Sequence, residues 1–223
     1  MIVLGIETAT KVCGVGLVND RDIIADYQIH RNTIHAERLA EAVAGVLRDA
    51  DIDRHELDGI AVSIGPGSFT GLRIGLGLAK GMAYGLNKPL IAVPTMEGLV
   101  AKIDGWCDRV CVMLHARKGE IFQGLFSRKE DRWVLHEDYQ IVPEEEIGTG
   151  LPDEEILFIG DSVAHYRKII EEHRTGTKFV NPFLSLPGGY GIARRGHELL
   201  VSGQTADLDS VVPIYLKRFR GVA

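Results

Sequence analysis

The first side chains able to do chemistry stand together at Glu7, Thr8 and Thr10. A carboxylate and two hydroxyls at the end of a strand are groups that meet a magnesium–phosphate head. The same threonines, bonding their own backbone, also simply build a turn. A second set, Gly65, Gly67 and Ser68 in the run Gly65-Pro66-Gly67-Ser68, sits at the mouth of a helix. The N–H groups of such a turn can cradle an anion, although the G-x-x-x-x-G-K-[ST] spacing of a phosphate-binding loop is missing. His30 and His35 are five apart, which suits no single-face metal pair on a helix. Cys107 and Cys111 flank a loop–strand junction and read as core thiols. Neither H-E-x-x-H nor G-x-S-x-G occurs, and Ser68 has no nearby base. The residues alone therefore assign no catalytic group and no metal.

The elements that position these groups are legible. Apolar runs at 2–7 and 12–18 and a third at 22–29 read as a three-strand meander, with Glu7-Thr8-Ala9-Thr10 at its first bend. Asn32 or Thr33 can cap a helix over 34–50, where Leu39, Val43, Val46 and Leu47 recur at helical spacing. Ala36, Ala40 and Ala44 give that helix a second, shallow face. A strand at 59–64 runs into the glycine turn, and a helix capped by Ser68 follows to about 86. Asn87-Lys88-Pro89 stops it before a strand at 90–93 and a short helix at 95–103. The pattern restarts near 104, with strands at 109–114, 120–126, 133–136, 139–142 and 156–160. Helices at 164–173 and 192–201 and a last short strand at 213–216 complete it. This is an α/β chain of two lobes, 1–104 and 105–223, whose tail crosses back to the first.

The glycine helix is costly. It carries Gly71, Gly75, Gly77, Gly81 and Gly85. Each interior glycine costs roughly 1 kcal/mol against alanine, so the set costs on the order of 4–5 kcal/mol. Gly77, Gly81 and Gly85 make a bare stripe at four-residue spacing, flanked by Leu72, Ile74, Leu78 and Met82. Three readings stay open for the helix: close packing inside the protein, a protein interface, or an anion at its first turn. A membrane helix pair is excluded, because Arg73 and Lys80 interrupt the segment.

The chain has 223 residues, 45% of them hydrophobic, and a net charge of −6. That balance is not that of a nucleic-acid binder, whose affinity comes from clustered cations. The one basic cluster is Lys217-Arg218-Phe219-Arg220, and a solvated terminus is its simplest reading. Three cysteines without CxxC spacing read as reduced thiols in a cytoplasmic protein. No signal peptide or membrane span is expected.

The segments MIVLGIETATKVCGVGLV, IHAERL, SIGPGSFTGLRIGLGLAKGMAYG, PLIAVPTMEGL, LHARKGEIF and PIYLKRF together resemble the TsaB family of bacterial tRNA threonylcarbamoyladenosine biosynthesis subunits. The resemblance implies an actin-like, ribonuclease H-like two-lobed fold, each lobe a mixed five-stranded sheet with flanking helices. It implies a non-catalytic scaffold that binds a catalytic TsaD-like subunit, with a TsaE-like ATPase as third partner. It also implies a self-dimer in isolation and contact with tRNA only through the complex. TsaD-like chains carry an H-M-E-G-H metal motif where this chain has Thr95-Met96-Glu97-Gly98-Leu99. Loss of both histidine ligands argues against a metal here.

Two departures from the family pattern stand out. Glu7 replaces the usual Asp of the first turn, and His115 opens the hairpin His115-Ala116-Arg117-Lys118-Gly119-Glu120 where Asp is usual. The His115 replacement makes an ATP site less expected, so no cofactor is expected beyond a weak or interfacial ATP or ADP. The resemblance places the partner interface on the two long helices, through Leu39, Val43, Leu47, Phe69, Leu72, Arg73, Ile74, Gly77, Leu78, Gly81, Met82 and Gly85. The competing reading is an actin-like ATP-handling phosphotransferase or hydrolase, with Glu7, Thr8, Thr10 and the turn at 65–68 on the phosphates. Metalloprotease activity lacks any zinc-ligand spacing.

Overall fold

The computed structural model describes residues 1–30, 35–103, 107–130 and 132–216, with backbone alone at 35–37. The expected cap at Asn32 or Thr33, the lobe division at 104 and the basic cluster at 217–220 lie outside these residues.

The first sheet is built from β1 (Ile2–Glu7), β2 (Val12–Asn19), β3 (Asp22–His30), β4 (Gly59–Ser63) and β5 (Leu90–Val93). Its order is β3-β2-β1-β4-β5. The meander β1–β3 is antiparallel, whereas β4 and β5 run parallel to β1 and need helical crossovers to do so. Those crossovers are α1 (His35–Asp49) and α2 (Phe69–Leu86). Strand alternation sends Leu4, Ile6, Val15, Leu17, Ile60 and Val62 to the face that α1 and α2 cover. Ser68 caps α2 by accepting the Gly71 N–H (3.2 Å), and Asn87 closes it in the left-handed conformation at φ 53°.

The opposite face of this sheet is covered from far along the chain. Helix α3 (Thr95–Ala101) precedes the second sheet, and α5 (Gly189–Val201) follows α4 (Val163–His173). Val3, Val18, Ala61, Ile91 and Val93 meet Ile192, Ala193 and Leu199 of α5. The approach is backbone against backbone: a Cβ added at Gly5 would lie 2.3 Å from the Ala193 nitrogen, and one at Gly16 2.3 Å from the Tyr190 nitrogen. Glycines on alternate positions of β1 and β2 thus make a floor for α5.

The second sheet contains β6 (Arg109–Arg117), β7 (Glu120–Lys129), β8 (Arg132–Leu135), β9 (Gln140–Pro143), β10 (Ile156–Ile159) and β11 (Thr177–Phe179). It runs β11-β10-β6-β7-β8, with β9 also on β7. Six strands replace the expected five because β7 is long enough to pair β9 at Glu120–Gln123 and β8 at Phe126–Lys129. The three-residue β11 was not foreseen. Met96, Leu99 and Val100 of α3 pack on one face of this sheet, and α4 covers the other through Val163, Tyr166 and Ile170.

The strand expected at 213–216 is absent. That segment is an irregular strap returning to the first lobe, where Ala206 bridges Leu90 and the Ile214 N–H donates to the Ile64 carbonyl (2.7 Å). Pro213 offers no N–H for a ladder, so one bond is made where a strand would make several. Thus α5 as well as the tail returns to the first sheet. Among the described residues no helix is long and apolar enough to cross a membrane.

Candidate functional site

Helix α2 has two faces built by the same residue type. Two residues advance a helix by 200°, so Gly75 and Gly77 point in opposite directions. The inward pair meets the first turn. A Cβ at Gly71 would stand 2.0 Å from the Thr8 carbonyl oxygen, and one at Gly75 2.2 Å from the Thr8 Oγ1. Thr8 Oγ1 donates to the Gly71 carbonyl (2.8 Å), which locks the turn to the helix. The outward set is different: Gly77, Gly81 and Gly85 are exposed, and no atom of the described residues lies within 4 Å of where each Cβ would stand.

The interface residues expected on the two helices divide accordingly. Leu39, Val43, Leu47 and Leu72 are buried in the chain's own core beneath the first sheet, which corrects their placement on a partner-facing surface. Their regular spacing is that of the stripe each helix must bury against its own sheet, and burial there leaves nothing for a partner. Ile74, Leu78 and Met82 are half-buried at the edge of that core, and Phe69 is half-buried at the head of the helix. Arg73, Gly77, Gly81 and Gly85 are exposed in one row. Ala40 and Ala44 of α1 are exposed as well, which matches the shallow second face. Tyr84, 82% exposed, was missed; its signal was its position seven residues after Gly77, two turns along the same face.

The first turn and the glycine turn come together, as the competing ATP-handling reading requires, but most of their polar groups bond within the chain. The Ala9 N–H donates to Glu7 Oε1 (2.6 Å), and the Thr8 N–H to the Ser63 hydroxyl (3.3 Å). Thr10 Oγ1 accepts the Val12 N–H (3.2 Å). The Ser68 N–H donates to the Ala9 carbonyl (2.6 Å), and a Cβ at Gly67 would stand 2.3 Å from the same oxygen. Gly65 gives its N–H to Thr95 Oγ1 (3.2 Å) and receives the Thr95 N–H (2.9 Å). The anion cradle is thus largely filled by the turn at 7–10.

Glu7 is wholly buried, and its Oε2 has no hydrogen-bond partner among the described residues. Burial pushes its carboxyl up to about 8; the Ala9 amide and Ser63 hydroxyl oppose the rise, and Asp161 adds to it. Glu7 is therefore a neutral acid at neutral pH. Asp161, at the end of β10, accepts the His115 N–H (2.8 Å), and burial raises its carboxyl too. Ser63 and Asp161 were not foreseen, because no local spacing ties either to Glu7. In the second lobe Arg117 and Glu120 form a two-pronged pair across their hairpin (2.7 and 2.8 Å).

The position of the metal motif is occupied by structure. Thr95 is fully buried and holds the glycine turn, Leu99 lies in the core of the second lobe, and Glu97 pairs with Arg195 of α5 (2.8 Å). Among the described residues no cluster of three or more histidine, cysteine or acidic side chains is placed to hold a metal.

The family model for the TsaD family, "tRNA N6-adenosine threonylcarbamoyltransferase", matches residues 30–216. The tRNA threonylcarbamoyladenosine biosynthesis protein TsaB of Bacillus subtilis is 31% identical, covering 97% of this chain and 94% of its own. The structure of YeaZ from Pseudomonas aeruginosa superposes with a TM-score of 0.82 at 23% identity, covering 96% of this chain and 99% of that one. The ROK hexokinase of Thermus thermophilus shares the fold at TM-score 0.53 and 10% identity, covering 90% of this chain and 100% of that one.

Proposed function

This chain belongs to the TsaD family, in its TsaB branch, and we propose that it is a non-catalytic scaffold subunit in tRNA threonylcarbamoyladenosine biosynthesis, docking a TsaD-like catalytic subunit on the outer face of α1 and α2. One observation carries this reading: three glycines on an exposed helix face, costly to helix stability, have no atom of the described residues within 4 Å of where a Cβ would stand. Among the described residues nothing needs their small size. A second backbone approaching from outside does, because only glycine leaves room for close helix contact. In isolation the same face serves a self-dimer, which the TsaD-like subunit displaces. A TsaE-like ATPase joins the pair, tRNA is reached only through the assembled complex, and the site of action is the cytoplasm.

Catalysis is assigned to the partner. Here most of the groups that would hold phosphates bond within the chain, Glu7 Oε2 excepted. The chain therefore works without a resident cofactor, and ATP or ADP binds weakly or at the interface. The actin-like ATP-handling alternative predicts micromolar Mg-ATP affinity for the isolated chain by calorimetry.

Sedimentation of the chain, its TsaD-like subunit and their mixture tests the assignment. A species at the summed mass is expected. Gly81→Leu, whose side chain enters open space in the monomer, leaves the fold intact and weakens that species by roughly tenfold or more. Equal association by wild type and variant overturns the reading.

A further inference from the structure

The row of exposed residues on α2 does not begin with glycine. Four residues before Gly77, in the same row, stands Arg73, and four before that Phe69. The Arg73 guanidinium lies 3.7 Å from the centre of the Phe69 ring and 6.0 Å from that of Tyr215, and its Nε donates to the Tyr215 hydroxyl (3.1 Å). The two rings are 5.3 Å apart. Tyr215 comes from the strap, which the Ile214 N–H ties to Ile64 at the entrance of the glycine turn. Among the described residues no carboxylate pairs with Arg73, although the side chain is exposed and its remaining N–H groups form a fork. An arginine held flat against rings has already lost much of the rotamer freedom that binding would otherwise cost.

We propose that the strap, through Tyr215, presets Arg73 as a cationic anchor at the head of the α2 face, where it receives a carboxylate of the TsaD-like partner. The proposal rests on the docking face described above and extends it from two helices to the C-terminal segment. A different chain is the committed occupant rather than a second copy, because the α2 row that a copy would set against Arg73, from Phe69 to Gly85, carries Arg73 itself and no carboxylate. Tyr215 is a positioning residue: it acts by holding Arg73.

A double-mutant cycle with the full chain and its TsaD-like subunit tests this by calorimetry. Arg73→Met is expected to weaken the complex by roughly ten- to a hundredfold and to flatten its dependence on salt. Tyr215→Ala is expected to cost part of that loss alone and nothing further in the Arg73→Met background. Tyr215→Phe, which keeps the ring, is expected to cost less. Thermal melts identify any variant that has lost its fold, and Arg73→Met, made at an exposed position, keeps the cycle's decisive arm readable.

Unchanged affinity and salt dependence in Arg73→Met overturn the anchor. If Gly81→Leu still weakens the complex in that case, the docking face stands without it; if neither variant has an effect, the docking face falls too. Independent, additive losses for Arg73 and Tyr215 overturn the positioning role. An equal loss of self-association in Arg73→Met overturns the choice of a different chain as occupant.

Discussion

Gly71 and Gly75 on one side of α2 and Gly77, Gly81 and Gly85 on the other are the same residue in the same helix, and they answer different demands. The inner pair is fixed by the Thr8 backbone and hydroxyl at distances no side chain tolerates. The outer three face open space. A glycine-rich helix read as a string looks like one device. It is two: the inner face is thin where its own first turn presses on it, and the outer face is bare where we propose that a partner docks.

Substitution on each face sharpens or breaks this contrast. The largest effect is expected from Gly71→Val, whose branches collide with Thr8; it should destabilise the chain by about 3 kcal/mol or more, read as a drop in urea midpoint. A melt like that of wild type would show that the turn yields easily, and the two faces would then be alike.

Next is the buried acid behind the inner face. Glu7 titrates near 8 in the folded chain and near 4.5 when unfolded. The folded state therefore holds a proton that the unfolded state releases as pH rises. Its contribution is complete below about pH 4.5, falls between 4.5 and 8, and levels off above. Glu7→Gln keeps an acceptor for the Ala9 N–H and cannot ionise. It should gain on wild type across that window, by on the order of 3 kcal/mol at pH 7 in denaturant titrations. Parallel stability curves for the two proteins would mean that Glu7 is not held neutral.

The smallest effect is also a gain. Gly81→Ala on the outer face should raise monomer stability by roughly 1 kcal/mol, a gain of a few degrees in melting temperature, because helix propensity improves and nothing is struck. A loss of stability would reveal an intramolecular use for the stripe.

Much of this was legible in the chain. The strands of the first sheet, the Ser68 cap and the Asn87 stop follow from alternation, capping and turn chemistry, which are local. Which face of α1 and α2 looks outward was not. Leu39, Val43, Leu47 and Leu72 are the apolar stripe one would choose for an interface and equally the stripe a helix buries on its own sheet. Only the sheet's position decides, and periodicity does not carry it. Ser63 and Asp161 approach Glu7 from segments distant in sequence, so no spacing announces them. The strap escaped for a related reason: Pro213 to Leu216 has the residues of a strand and one ladder bond.

The return of α5 to the first sheet has a consequence for how the chain is made. The sheet's strands are complete by Val93, yet one of its faces is bare until Gly189–Val201 has left the ribosome. The glycine floor of β1 and β2 accepts only a closely fitted helix, so the second lobe, whose strands lie between, is synthesised while the first waits uncovered. Loop closure over that distance is slow, and exposed apolar surface in the interval invites aggregation. The two lobes are thus separate in architecture and inseparable in assembly: a fragment ending after the second sheet would leave the first lobe half-dressed, with α1 and α2 in place on one side and its glycine floor open to water on the other.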